Sequence, residues 1–259
     1  MPTRPSVHQY RGATPTRSHT SRVVNELGLA IVAGQIEQGA LLPGDGELTE
    51  RHGVSRTVVR EALKTLAGKG LLQAKARVGT RVRDRADWNL FDSDVLIWHA
   101  RSGFSPDFLM HLGEMRLALE PAGAALAAGR RTAAQLDDLG QWVARMERPD
   151  LTPSDFVQAD LGLHLAVARA AGNPFLLSVS TLIEVALIAM MTGSSPADEP
   201  LRLAKSIRQH RAIFEAIEAQ DAVAAGEAMR TVVQLGIDRS RRAAGEIHRR
   251  PHPRQPRSA

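Results

Sequence analysis

Residues 54–66 constrain the fold most strongly, because they carry two separate stripes of side chains at helical spacing. The apolar stripe consists of Val59, Ala62, Leu63 and Leu66. The cationic stripe consists of Arg56, Arg60 and Lys64. Residues three and four apart share one face of an α-helix, so the segment predicts a helix that packs on one side and presents positive charge on another. Ser55 stands where an N-cap residue is expected.

The segments around this helix predict two further helices and a hairpin. The apolar face of the first helix is formed by Val24, Leu27 and Ile31. Residues 45–52 predict a second, short helix that ends at Gly53, because glycine adopts the left-handed conformation of a helix exit at little cost. Residues 71–76 and 78–83 alternate weakly, as the strands of a hairpin do. Three helices and a hairpin predict a winged helix-turn-helix over residues 20–85.

Charge is distributed unevenly along the chain. The net charge is +5, but residues 51–85 carry ten Arg or Lys against two acidic residues. Residues 86–238 carry twelve basic and twenty acidic residues. A basic segment joined to an acidic body is typical of a module that binds a polyanion such as nucleic acid. The alternative is a solvated basic face without a partner.

Composition excludes several classes of protein. The chain has no cysteine, which excludes disulfides, thiolate zinc fingers, iron–sulfur clusters and cysteine nucleophiles. The longest mostly apolar run, residues 179–191, is interrupted by Glu184 and is too short to span a bilayer. The first twenty residues lack the apolar segment of a secretory signal. We therefore expect a cytoplasmic protein with no membrane partner.

One run of residues carries a family resemblance. It consists of Leu42-Pro43, Glu47-Leu48, residues 54–63 and Gly70-Leu71. This pattern resembles the winged-helix domain of the GntR family of bacterial transcription regulators. The resemblance implies that the third helix enters the major groove of double-stranded operator DNA and that the hairpin, or wing, enters the minor groove. The residues expected to contact DNA are Ser55, Arg56, Thr57, Arg60, Lys64, Arg77 and Gly79.

The chain departs from the family pattern at Gly46, where many members carry arginine or another side chain. One phosphate contact is therefore expected to be missing. The alternative interpretation of Arg56 and Arg60 is that they only solvate the helix.

Residues 105–245 contain one helical pattern after another and no segment that alternates as a strand does. They predict a bundle of six or more helices. Residues 86–104 are expected to form a linker segment. Within them, residues 88–98, from Trp88 to Trp98, resemble a segment of the FCD branch of GntR regulators. The C-terminal domain of that branch is an all-helical ligand sensor. The predicted fold is mainly α, a winged helix-turn-helix followed by an FCD-like helical bundle, with a disordered basic arm (residues 1–19) and tail (residues 246–259).

Three residues of the helical domain have the side chains of a metal site. Asp160 and His164 lie four apart on one helix face, and His210 lies on a later helix. Their order is similar to the FCD metal motif of one Asp and three His, but Val232 stands where the last His would fall. The residues present predict a divalent zinc, nickel or manganese ion, with water completing its shell. The alternative is a polar patch without metal.

Arg116 is a second candidate in the helical domain, because apolar residues flank it on a predicted core helix. A planar guanidinium in such a place suits a carboxylate partner. That partner is either Glu120, four residues further along the helix, or the carboxylate of a bound effector. The resemblance implies the second role, in a branch of the family that responds to sugar acids.

The leading hypothesis is a homodimeric transcription regulator that binds operator DNA under the control of a small carboxylate effector. We expect it to act as a repressor. It is not expected to be an enzyme. One alternative is a metal-dependent hydrolase that uses Asp160, His164 and His210. A second alternative is an architectural protein that coats DNA without sequence preference.

Overall fold

The computed structural model describes residues 18–75, 77–193 and 195–249. Within them the chain forms eleven α-helices and a two-stranded antiparallel hairpin, which confirms the predicted fold class. The chain divides into two compact units, with the boundary between Phe104 and Ser105. The elements of the N-terminal unit are α1 (His19–Val32), α2 (Asp45–His52), α3 (Arg56–Gly68), β1 (Leu72–Lys75), β2 (Gly79–Val82) and α4 (Ser93–Ser102).

Local sequence signals account for the helix-turn-helix. The Ser55 hydroxyl accepts a hydrogen bond from the backbone N–H of Val58 and caps α3. Gly53 ends α2 in the left-handed region, at φ 61°. The buried side chains of α3 are Val59, Ala62 and Leu66, so the apolar stripe faces the core. The strands pair with Leu72 opposite Val82, and both residues are buried.

Residues 86–104 were expected to form a linker, but they include α4. This helix packs on α1 as part of the N-terminal core. The Trp98 ring is fully buried and lies against Gly28, whose missing Cβ leaves the space for it. The indole Nε1–H of Trp98 donates to Asn25 Oδ1 at 3.1 Å. The Lys69 ammonium binds the Asp92 carboxylate at 2.7 Å, close to the first turn of α4. An aromatic anchor therefore makes this segment a structural element.

The C-terminal unit is a helical bundle. Its helices are α5 (Pro106–Arg130), α6 (Ala133–Met146), α7 (Pro153–Ala170), α8 (Pro174–Ser178), α9 (Ser180–Gly193), α10 (Pro200–Glu218) and α11 (Ala222–Arg249). Thr132 and Thr152 open α6 and α7 with capping boxes, in which side chain and backbone satisfy each other reciprocally. The long helices α5 and α11 pack along each other, and α5 also packs on α7.

Residues 174–191 are divided between two helices. α8 ends before Val179, and α9 begins after it. The Ser178 hydroxyl donates to the Pro174 carbonyl at 2.8 Å, and the Leu182 N–H bonds to the Val179 carbonyl instead of continuing the α-helical pattern. None of the described helices has the length and apolar character needed to cross a membrane.

The predicted arm and tail fall largely outside the described residues. At the N-terminal side the description begins at Ser18, whose side chain caps α1. At the C-terminal side α11 continues to Arg249, beyond the limit of residue 245 expected for the helical domain.

The close approach of Trp98 to Gly28 yields a stability prediction. Replacing Gly28 with alanine places a methyl group inside the indole ring, which should lower the free energy of unfolding by about 1–3 kcal/mol. Gly46→Ala is the matched control, because that position is exposed, helical and open, and should be neutral or stabilising by up to about 1 kcal/mol. Urea unfolding followed by circular dichroism measures both, and equal effects would contradict the packing of α4.

Candidate functional site

The N-terminal unit exposes every residue that the sequence analysis assigned to DNA contact. The exposed set on the capped helix consists of Ser55, Arg56, Thr57, Arg60 and Lys64. Arg77 and Gly79 are exposed in the wing, where both have positive φ, 63° and 110°. The structure therefore presents a cationic helix and a tight hairpin tip to solvent, while the opposite face of α3 packs on α1.

Arg60 has a partner that the sequence analysis missed. Its Nε–H donates to Asp45 Oδ2 at 2.9 Å, from α3 to the first residue of α2. Both side chains are accessible to solvent, so the pair itself contributes little stability. It does fix the direction of the Arg60 guanidinium, and the hydrogen bond uses only Nε.

A basic residue of the wing has a structural role, because Arg81 donates a hydrogen bond to the carbonyl of Gly39.

The C-terminal unit contains a buried cluster of polar side chains. The structure brings together Asp160 and His164 of α7 and His210 of α10, each only 2% exposed. One ligand atom from each residue lies within 4.8 Å of those from the other two. The sequence analysis identified these three residues, and the fold places them at one point.

Hydrogen bonds at the opposite ring nitrogens define the state of the two histidines. His210 Nδ1 lies 2.7 Å from the Ser206 carbonyl, an oxygen that only accepts, so Nδ1 carries the proton. His164 Nδ1 is bound in the same way to the Glu120 carboxylate. In this tautomer of a neutral imidazole Nε2 carries a lone pair toward the cluster, and neither Nε2 atom has a hydrogen-bond partner in the part of the chain that the structure describes.

The cluster fits a divalent cation. His210 Nε2 lies 2.7 Å from Asp160 Oδ1, and Asp160 Oδ2 has no hydrogen-bond partner among the described residues. A carboxylate oxygen and an imidazole lone pair at this distance repel each other unless a proton or a metal ion lies between them. A carboxylate and two imidazoles are ligands that zinc, nickel and manganese accept. Among the described residues the cluster has no fourth protein ligand, in agreement with Val232 in the position of the missing histidine.

Glu120 connects this cluster to Arg116. The Arg116 side chain, 4% exposed, donates from Nε and Nη2 to the Glu120 carboxylate, with the Nη2 bond at 3.3 Å. Burial alone would raise the pKa of Glu120, but Arg116 and His164 beside it hold that pKa at about 2. Burial likewise opposes ionisation of Asp160, and His210 with His164 lowers its pKa to about 2. Both carboxyls are therefore ionised at neutral pH.

Arg116 thus has the intrahelical partner that was one of its two expected partners. Its assignment to an effector carboxylate stays a prediction. Glu120 itself was named only as that partner. Its second role, holding the ring of a candidate metal ligand, was missed because the bond joins residues 44 positions apart.

Arg239 of α11 is a further residue that the sequence analysis did not single out. Its Nε is buried and has no hydrogen-bond partner in the described part of the chain. Burial lowers the pKa of Arg239, and the charge of Asp160 opposes that shift. The signal that could have found it is its spacing, because Arg239 lies seven residues, or two helical turns, after Val232.

A small apolar cavity borders the cluster at Glu120 and His164. Its remaining wall includes Leu119, Val167 and Met229, and its volume of about 20 Å³ suits a single water molecule. Neither Asp160 nor His210 reaches it. The cavity offers few hydrogen-bonding groups for a hydroxylated ligand.

Comparison with known proteins identifies both units. Residues 19–82 match the model of the bacterial regulatory proteins of the gntR family, and residues 111–235 match the FCD domain. The galactonate operon transcriptional repressor of Escherichia coli is 33% identical over 218 residues, which cover 84% of this chain and 95% of the relative. The chain belongs to the GntR family. Its C-terminal unit is an FCD domain.

Two further matches agree with this assignment. The transcriptional repressor NanR of Cronobacter sakazakii is 31% identical over 220 residues, which cover 81% of this chain and 80% of the relative. A solved structure of the Listeria monocytogenes protein Lar, 18% identical, superposes with a TM-score of 0.56 and covers 88% of this chain and 99% of that one. The second match supports the fold alone.

Family membership confirms the prediction of a transcription regulator with a DNA-binding domain and a ligand-sensing domain. It also decides against the hydrolase, because the family and the relatives are regulators rather than enzymes. The cluster on α7 and α10 is consequently a candidate sensor site.

Proposed function

We propose that this GntR regulator is a homodimeric repressor whose operator binding is controlled by a sugar acid held in the FCD domain. The observation that carries the proposal is the combination of an exposed cationic recognition helix with a buried, unsatisfied donor cluster in one chain. The relationship to a galactonate operon repressor supports the choice of a sugar acid. Such a protein acts where the chromosome is, in the bacterial cytoplasm.

The DNA-binding half of the proposal assigns operator contact to α3 and the wing. Arg56 and Arg60 are exposed guanidiniums on the recognition helix, and each has the shape to bind a guanine edge through two hydrogen bonds. Lys64 suits a phosphate, and Ser55 with Thr57 supplies hydroxyls near the helix N-terminus. Arg77 and Gly79 belong to the wing tip, whose compact turn suits a narrow groove.

A homodimer follows from the small size of one winged helix. A single recognition helix makes too few base contacts for operator specificity, and a second copy related by two-fold symmetry doubles them at a fixed spacing. We therefore infer that the operator is a pseudo-palindrome with one half-site for each protomer.

Substitutions on α3 test sequence-specific DNA binding. The preferred site is first selected from a random oligonucleotide pool, and affinities are then measured by fluorescence anisotropy at fixed salt. Arg56→Ala or Arg60→Ala should weaken binding to the selected site by about 1–3 kcal/mol and weaken binding to random DNA much less. Arg51→Ala is the matched control, since this exposed arginine lies on α2. Equal losses on both DNAs would support the architectural alternative instead.

Asp45→Ala adds a second test to the same experiment. The loss of its negative charge and the loss of its contact with Arg60 should change affinity for the selected site in opposite directions. Removing an acidic group strengthens general attraction to phosphate. If Asp45 orients Arg60 for base contact, the variant should bind random DNA more tightly and the selected site less tightly. A uniform gain on both DNAs would show that the pair has no role in base recognition.

In the FCD half of the proposal, Asp160, His164 and His210 hold one divalent metal ion. The metal would supply a Lewis-acidic centre for the oxygen atoms of an anionic effector. The protein's own part is to orient the ligands: Glu120 holds the ring of His164 and the Ser206 carbonyl holds the ring of His210. The unsatisfied Nε2 and Oδ2 atoms support this assignment.

Metal analysis tests the centre. Apo protein is titrated with zinc, nickel and manganese ions, and one site per chain is expected. His164→Ala should abolish this site, whereas His111→Ala, an exposed histidine of α5, should leave it intact. Glu120→Gln should weaken metal affinity by about 10–100-fold through the loss of ring orientation. Wild-type protein that binds none of the three ions would refute the metal centre.

Regulation follows if the effector binds differently to two conformations of the dimer. The effector would favour the conformation whose recognition helices do not match the half-site spacing, so that DNA is released. Reciprocity then requires operator DNA to weaken effector binding by the same factor.

Thermal unfolding with added acids tests effector control. Galactonate, gluconate and lactate are added to metal-loaded protein, with galactitol as the uncharged control. An acid that binds only the folded state should raise the melting temperature, by mass action, and should also lower affinity for the selected DNA site. If no acid changes either quantity, the sugar-acid proposal is wrong and the DNA-binding half is unaffected.

A further inference from the structure

Two consecutive residues of α11 have buried polar atoms without partners. Arg239 Nε and Ser240 Oγ are inaccessible to solvent, and neither has a hydrogen-bond partner in the described residues. No ion pair to Arg239 is found within the described ranges either. Arginine retains its charge in proteins, so it cannot relieve burial by losing its proton. Arg239 as a whole is partly exposed, so the unfavourable feature is its inaccessible Nε–H, a donor that lacks an acceptor among the described residues.

The charges around Arg239 point to an anion from outside the chain. Three of the charged groups that act on it are cations, Arg116, Arg202 and Arg242, and one is an anion, Asp160. Asp160 belongs to the candidate metal cluster, where its Oδ1 lies 2.7 Å from His210 Nε2. Glu120, the other buried carboxylate near the cluster, is bound to Arg116 and His164. Of the described groups that act on Arg239, none is therefore a carboxylate reserved for it.

The direction of the Arg239 side chain is also informative. Its Nη2 lies 3.7 Å from the point where a Cβ on Gly236 would stand, so the guanidinium folds back along α11 toward the preceding turn. That is the direction of Val232, where a family member would carry its last metal-binding histidine. At Val232 the chain thus lacks a metal-binding histidine, and two helical turns further along α11 it has the Arg239 cation.

We propose that Arg239 binds the carboxylate of the effector, next to the cluster of Asp160, His164 and His210. The inference rests on the proposed effector control and specifies which side chain recognises the acid. The charges of the Arg116 and Arg239 guanidiniums balance those of the Glu120 and Asp160 carboxylates. A divalent ion in the cluster would therefore leave this region positive and in need of an anion. A guanidinium binds a carboxylate through two parallel N–H bonds, a geometry that an ammonium does not reproduce.

Arg116 then has a different role from Arg239. Its Nε and Nη2 are bonded to Glu120, and Glu120 in turn orients the ring of His164. Arg116 is a positioning residue for the cluster, and Arg239 contacts the ligand. The proposed ligand is a small hydroxy acid, whose carboxylate would bind Arg239 and whose hydroxyl oxygens would face the cluster.

The test compares Arg239→Met with Arg241→Met, a control on the same helix whose arginine is exposed. Galactonate, gluconate and lactate are titrated calorimetrically into each metal-loaded protein, and the melting temperature without acid is recorded. Arg239→Met should lose at least about tenfold in affinity for the acid that binds the wild type. It should melt at a higher temperature than the wild type, because an inaccessible donor without an acceptor and one of several neighbouring positive charges have been removed. Metal content should not change.

Arg239→Lys is the second variant, since it retains the charge without the planar fork. It should bind the acid more weakly than the wild type and more strongly than Arg239→Met. Wild-type affinity in Arg239→Met, or a lower melting temperature of that variant without acid, would overturn the inference and leave the proposed function standing. A wild type that binds none of the three acids would overturn the sugar-acid proposal and this inference together.

Discussion

The Glu120 carboxylate provides the interaction on which the buried site depends. It accepts hydrogen bonds from Arg116 on its own helix and from His164 on α7, so one ionised group fixes two side chains. Because His164 donates from Nδ1, its Nε2 is left as a lone-pair donor toward Asp160 and His210. The Arg116 charge keeps Glu120 ionised despite complete burial. Without this carboxylate, the buried Arg116 guanidinium would lose the anion that it binds. The His164 ring would lose the hydrogen bond that fixes its orientation.

The DNA-binding unit depends on an equally specific contact, between Trp98 and Gly28. Because this contact includes α4 in the N-terminal core, the covalent connection to the FCD domain shortens to residues 103–105, between the end of α4 and the start of α5. Within this connection Gly103, at φ 83°, is in a region that other residues rarely adopt.

Sequence predicted the fold well where local signals dominate. Ser55 marks the start of α3 by its own hydrogen bond, and the stripe spacing of α3 separates its buried face from its cationic face. The candidate metal residues were also found, because their side chains are chemically distinctive. The role of α4 was missed, since the burial of Trp98 depends on a glycine 70 residues earlier. Arg239 was missed because its isolation is a property of packing, which no local pattern of residues expresses.

An open donor set suits a sensor better than a closed one. Four protein ligands would satisfy a structural metal and leave little reason for a small molecule to approach it. The cluster has three candidate ligand side chains, and Val232 stands where a fourth is expected. In the proposed site, a bound effector would complete the coordination of the metal and accept from the Arg239 guanidinium. A ligand can shift a conformational equilibrium only by its different affinity for the two states. In the proposed site, incomplete metal coordination and the Arg239 Nε–H, which has no partner among the described residues, would provide such a difference.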